Sequence, residues 1–174
     1  ILEKEILARL SKELEGGRLV NSVLSMEEQA AIHHLHLLTV KPILYVLNKQ
    51  AGGHNLDEMQ DPRYERLMEF FESTKSQYVS VDAAIEDELK DVSGDEKQSF
   101  RREFGVFDDG INNLIKKGYE ILDLITFFTT GEDETRAWTI RRGSSAPEAG
   151  AAIHSDFRDK FIRAEIATYN DLIQ

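Results

Sequence analysis

Along the chain, apolar residues alternate between two periods, and the period fixes the order of elements. Leu2, Ile6, Leu10 and Leu14 recur every four positions with Leu7 beside them, which predicts an amphipathic helix ending at Gly16-Gly17. Glu5 and Arg9 share its outer face and can pair across one turn. Ser25-Met26-Glu27-Glu28 has the Ser-x-x-Glu form of a capping box and predicts a helix running to about Leu38. Ile43 to Leu47 is a short, nearly continuous apolar run, the pattern of a strand buried on both faces of a parallel sheet.

Asp61-Pro62 predicts the next helix start, and Leu67, Met68, Phe70 and Phe71 supply its buried stripe. Gln77 to Val81 reads as a second strand. Helices are expected around Asp95 to Glu103 and Asp109 to Leu122, the latter with Ile111, Leu114, Ile115, Tyr119 and Leu122 on its apolar face. From Leu124 the period changes to that of a strand. Leu124 to Thr129 meets a turn at Thr130-Gly131 and returns through Arg136 to Ile140, with Ala137 and Thr139 facing opposite to the even-numbered positions. Arg141-Arg142-Gly143 turns again, Pro147 suits a first helical turn, and Ala149, Ala151, Ala152 and Ile153 carry a short helix towards Phe157. A third strand is expected over Phe161 to Ala167. Strand, strand, helix, strand in so short a length suggests a small β-grasp, or ubiquitin-like, module.

Composition narrows the partners more than the fold. A formal net charge of −11 argues against a chain whose whole surface clings to nucleic acid. From Gly118 onward Arg136, Arg141, Arg142, Arg158, Lys160 and Arg163 face ten acidic residues, so an RNA contact there has to come from one face. No cysteine is present, which excludes disulfides, thiolate metal sites and cysteine nucleophiles. The N-terminus lacks the apolar core of a signal peptide, no stretch approaches the roughly twenty apolar residues of a membrane helix, and a cytoplasmic protein is expected.

The last third carries a series of specific motifs: T-F-F-T-x-G at Thr126, R-A-W-T-I at Arg136, A-P at Ala146 and I-H-x-D-F…F-I-R-A-E from Ile153. These resemble the TGS domain of YchF-type (Obg-like) ATPases. Upstream, K-P-x-x-Y-V-x-N ending at Asn48 resembles the base-recognition strand of that family, and Ala83-Ala84-Ile85-Glu86 resembles its A-A-x-E loop beside the base. The resemblance implies a P-loop nucleotide-binding domain with an inserted coiled-coil arm and a C-terminal TGS domain, ribosome association, and hydrolysis of ATP in preference to GTP with Mg in the full-length protein. Carried onto this chain, it divides residues 1–17 as a remnant of the arm, 18–121 as the rear part of the nucleotide-binding domain, and 122–174 as a truncated TGS domain. The expected fold class is therefore α/β: the rear part of a P-loop-type parallel sheet with helices, then a partial β-grasp.

Asn48, Ala83 and Ala84 are the candidate base-binding residues, and Arg136, Arg141, Arg142 and Arg163 the candidate ribosome or RNA contacts. Two positions depart from the family. Ala51 stands where an acidic residue follows the asparagine, and Ala149-Gly150-Ala151-Ala152 stands where A-A-G-K is usual. The phosphate-binding motif needs a Gly-Lys pair to surround and neutralise phosphates, and this sequence has none. The chain thus reads as a fragment of such an ATPase, with no catalytic residue of its own and no tight nucleotide binding expected. The alternative is a freestanding, non-catalytic module that binds ribosome, RNA or protein.

Other chemistry is weaker. His33 and His36 are close enough in sequence to suggest a metal pair, but zinc sites take three or four protein ligands, and an exposed histidine-rich face is the simpler reading. His154-Ser155-Asp156 holds the residue types of a hydrolytic relay, yet adjacent side chains diverge, and His154 reads better as helix-end packing. Asp91-Val92-Ser93-Gly94 matches D-x-x-G by chance, since it follows the base-recognition strand instead of preceding it.

Overall fold

The structure, a computed structural model, describes residues 2–20, 23–105 and 110–172; at Leu2 and Asp95 only the backbone is described. The chain divides into two compact units, Ile1–Ile121 and Leu122–Gln174.

In the first unit α1 (Leu2–Glu15) buries Ile6 and Leu10 against Val20, Leu24 and Ile32, with Leu37 and Val40 at the margin. Each such side chain contributes about 1.5–3 kcal/mol when taken out of water. The stripe is narrower than the sequence pattern suggests, for Leu7 and Leu14 stay on the exposed flank. Arg9 does not pair with Glu5: its guanidinium reaches Glu28 at 2.6 Å, tying α1 to the next helix. That helix, α2 (Met26–Ala31), starts on the expected box, Ser25 N–H donating to Glu28 and Glu28 N–H to Ser25 Oγ. It stops well short of Leu38. Ile32 leaves helical geometry to enter the core, and the chain continues as 3₁₀ turns at His33–Leu35 and Leu38–Val40, with His36 left-handed between them.

Strand β1 (Leu44–Asn48) runs parallel to β2 (Gln77–Val81), Leu44 opposite Gln77 and Asn48 opposite Val81. The crossover is α3 (Pro62–Thr74), capped by Asp61. Alternation sends Tyr45 and Tyr78 to one face, where Phe71 of α3 packs on both rings. Val79 and Val81 point to the other, where α6 (Gly110–Ile121) lies against them. Gly110 begins α6 so close to Val81 that an added Cβ would come within 3.3 Å of it. Helices therefore cover both sheet faces, but β1 is only half-buried, with Val46 at 48% exposed, since this face is covered over β2 and less over β1. Within the expected stripe of α3, Phe71 is buried and Phe70 exposed. Between β2 and α6 run α4 (Ala83–Glu88) and α5 (Gly94–Glu103). The expected helix start at Asp109 lies outside the described residues.

The second unit is a hairpin with short helices. Strands β3 (Leu124–Thr130) and β4 (Thr135–Arg141) pair antiparallel, with Phe127 opposite Trp138 and Ile125 opposite Ile140 on the more buried face. Helix α7 (Ala146–Ile153) has Ser145 and Glu148 as a capping box and packs on β4. Gly150 lets α8 (Asp156–Asp159) close in, for an added Cβ would sit 3.1 Å from Phe157. The expected third strand over Phe161 to Ala167 is not formed. That segment carries no regular structure, and Ile162 and Ile166 are 89% and 84% exposed. An extended run becomes a strand only when its N–H and C=O groups find a ladder partner, and among the described residues it has none. Helix α9 (Tyr169–Leu172) follows.

Candidate functional site

Parallel strands place their carboxyl ends together, and ligands of open α/β sheets sit there. In this chain those ends are Asn48 and Val81, directly opposite each other. One further ladder bond, Lys49 N–H to Val81 C=O at 2.8 Å, carries the pairing past the strand. Asn48 is exposed, and its Oδ1 accepts the Ala83 N–H at 3.1 Å. This bond assigns the amide's orientation and leaves both Nδ2 hydrogens without an acceptor among the described residues.

Asp82 completes the arrangement. Its Oδ1 accepts the Ala84 and Ile85 N–H groups at 3.1 Å, capping α4, while its Oδ2 accepts the Ala51 N–H at 2.5 Å across the sheet end. The loop after β1 is stapled a second time, by Asn55, which accepts from Gln50 N–H at 3.0 Å and donates to Gln50 C=O at 2.9 Å. Lys49 Nζ lies 2.7 Å from Asp57 and 2.9 Å from Glu58. Those carboxylates hold the ammonium above its usual range, and Lys49 holds each of them below theirs. Beside this loop opens a cavity of about 260 Å³, lined by Asn48, Lys49, Asn55, Asp57, Tyr64 and Ser80. It is smaller than the roughly 300–1,000 Å³ that closes around a drug-sized ligand, so it could hold part of a nucleotide only.

Beneath α4, Glu86 is buried and receives Arg101 Nη2 at 2.7 and 2.8 Å, with Lys97 at 3.9 Å. This ion pair joins α4 to α5 and fixes the helix that carries Ala83 and Ala84.

The structure thus brings Asn48, Ala83 and Ala84 together, but spends the N–H groups of both alanines internally. Asp82 is the contributor the sequence reading missed; its signal was a cap-type residue directly before Ala83. The four arginines are placed differently. Arg136 lies over the Trp138 ring at 4.5 Å on one hairpin face, while Arg141 lies about 17 Å along β4 and on the opposite face. Arg142 bonds Asp123 at 3.1 Å, and Arg163 is exposed in the irregular segment. His33 and His36 rings meet edge-on at 5.5 Å, and among the described residues no three metal-ligating side chains cluster. His154 Nδ1 accepts the Asp156 N–H at 3.2 Å and its ring lies near Phe157, a helix-end role. No helix among the described residues is long and apolar enough to cross a membrane.

Comparison with known proteins gives a consistent picture. A family model described as YchF-GTPase_C, protein of unknown function (DUF933), matches residues 124–174. The ribosome-binding ATPase YchF of Bacillus subtilis (strain 168) is 41% identical over 99% of this chain and 47% of its own length. That of Pasteurella multocida (strain Pm70) is 38% identical over the same shares. Among solved structures, the Schizosaccharomyces pombe YchF GTPase superposes with a TM-score of 0.82 at 30% identity, covering 98% of this chain and 46% of that one. The chain spans about half the length of the relatives it matches.

Proposed function

We propose that this chain is the C-terminal part of a YchF-type protein, carrying the base-facing side of a nucleotide site together with a module that docks on the ribosome, a reading supported by its similarity to such proteins. The observation that carries the first half is the Asn48 to Ala83 hydrogen bond at the carboxyl ends of β1 and β2. It leaves the Asn48 Nδ2 donors without an acceptor among the described residues, and a purine N7 can accept them. In this reading residues 18–121 are the rear part of a P-loop-type domain, residues 1–17 the foot of a helical arm, and residues 122–174 a TGS module of β-grasp type. The parallel pairing with its α3 crossover supports the first of these, and the β3–β4 hairpin with α7 packed on β4 supports the last.

ATP or GTP with Mg is the substrate class of the whole protein in this reading. The residues of this chain fit the base alone: hydrolysis needs charge stabilisation at the phosphates, and the sequence holds no Gly-Lys pair to begin a phosphate cradle. Calorimetry of the chain with ATP, GTP and their diphosphates is expected to register weak binding without turnover. Tight binding with turnover would overturn the division of labour.

The absent Gly-Lys pair favours a second reading, a non-catalytic module that contacts ribosome, RNA or protein through its second unit. Co-sedimentation with ribosomes tests that face. Charge reversal at Arg141 and Arg142 is expected to weaken association, and an unchanged pellet fraction counts against those two residues.

A further inference from the structure

The segment Phe161 to Ala167 has the sequence of a strand and no partner for one. Phe161, Arg163, Glu165 and Ala167 alternate with Ile162, Ala164 and Ile166, so an extended backbone gathers both isoleucines on one face and both charges on the other. Among the described residues, none of residues 161–167 has a hydrogen-bonding or ionic partner, through backbone or side chain. Residues 162–167 are all exposed. A row of free N–H and C=O groups flanked by β-branched side chains is a template for another strand.

The order of residues says which strand fits. Ile162-Arg163-Ala164-Glu165-Ile166 is symmetric in size about Ala164 and opposite in charge across it. Two copies laid antiparallel, with Ala164 opposite Ala164, therefore set Ile162 against Ile166 twice and Arg163 against Glu165 twice. A slip of one residue in either direction sets a charge against an isoleucine, and a parallel pairing in register sets like charges together. The hairpin of the second unit offers no such match at its open edges: β3 has no charged residue, and β4 has Arg136 and Arg141 but no carboxylate. We propose that Phe161 to Ala167 pairs with the same segment of a second copy of this chain, antiparallel about Ala164. The contact is isologous, with its two-fold axis between the two Ala164 residues, and so closes as a dimer. Two strands alone hold weakly, and the expected dissociation constant is on the order of 100 μM.

Sedimentation equilibrium of the whole chain from about 10 to about 500 μM, in about 0.15 M salt, should show monomer passing into dimer. Arg163→Glu sets like charges opposite each other at both pairs, and so does Glu165→Arg, so each variant alone should dimerise about tenfold more weakly. Both side chains are exposed, and neither change disturbs a contact within the fold. An equimolar mixture of the two variants sets opposite charges together at both pairs again and should recover the affinity of the unaltered chain. A monomer across the whole range overturns the proposal, and protection of the amides of residues 161–167 from hydrogen exchange in that monomer would assign the segment to an edge of its own hairpin. A dimer indifferent to both variants, or variants that weaken it without recovery on mixing, means that the copies meet through another surface or register and overturns the proposal equally.

Discussion

Asn48 and Ala83, 35 positions apart in sequence, are joined by a 3.1 Å hydrogen bond from the alanine N–H to the asparagine Oδ1, and this bond turns two strand ends into one polar edge. The two functions of the amide can be separated. Asn48→Asp keeps an acceptor for Ala83 and loses the Nδ2 donors, so its urea midpoint should stay close to that of the unaltered chain while adenosine binding falls about fivefold. Asn48→Ala should lose both, with roughly 1 kcal/mol of stability. Full nucleoside binding by the aspartate variant would remove Nδ2 from the site.

The Glu86–Arg101 pair predicts a large and asymmetric cost. Its side chains are 6% and 7% exposed, so Arg101→Met leaves a buried carboxylate with only Lys97 at 3.9 Å to answer it. Loss of about 3–5 kcal/mol is expected in chemical denaturation, and the double change Glu86→Leu with Arg101→Met should recover most of it. A single-variant cost below about 1 kcal/mol would mean that water reaches the pair.

Packing of α1 predicts a contrast along one helix. Leu10 is 2% exposed and Leu14 38%, so Leu10→Ala should cost about 2–5 kcal/mol and Leu14→Ala markedly less. Equal losses would place Leu14 in the core as well.

Acid should act on α3 through its cap. The Arg63 side chain, and then its backbone N–H, lower the Asp61 carboxyl from 3.8 to about 2. Because the folded chain holds this proton less tightly than the unfolded one, the carboxylate's stabilising effect is complete above about pH 4 and disappears as pH falls through about 2. The difference in helical ellipticity between the unaltered chain and Asp61→Asn should therefore shrink between pH 4 and pH 2. A constant difference across that range would remove the charge from the capping interaction.

Trp138 is the single tryptophan, so fluorescence excited selectively at tryptophan, beyond the absorption of the tyrosines, reports the second unit alone. Its Nε1–H donates to Thr129 Oγ1 at 2.8 Å across the hairpin. Thr129→Val should lower the stability seen by fluorescence by about 1 kcal/mol and leave α1 untouched. An unchanged fluorescence transition would show that water replaces the hydroxyl at no cost.

Local chemistry was legible wherever it depends on near neighbours. Ser25 and Glu28, and Asp61 and Pro62, mark helix starts because capping is settled within three residues, and both form; Pro147 marked the start of α7, where the structure adds a box between Ser145 and Glu148. The span of β2 was legible as a short strand, and the division of β4 into two faces followed from side-chain alternation; that the face with Trp138 and Ile140 is the more buried one came from the structure. Asn48, Ala83 and Ala84 could be nominated as one site from the resemblance of their motifs, before any distance was known.

What the sequence could not settle is where each polar group spends its bonds. Arg9 chose Glu28 over the neighbouring Glu5, α2 ended where Ile32 turned into the core, and Phe161 to Ala167 stayed without a ladder, since each outcome depends on a partner distant in sequence. The same holds at the site. The sequence by itself determined which residue types stand at the ends of two strands, because periodicity and turn chemistry are local. Only the tertiary structure decided that Asp82 reaches Ala51 and that Asn48 reaches Ala83, leaving the Asn48 amide hydrogens without an acceptor among the described residues, because a hydrogen bond is assigned by distance in space and each donor hydrogen is satisfied once.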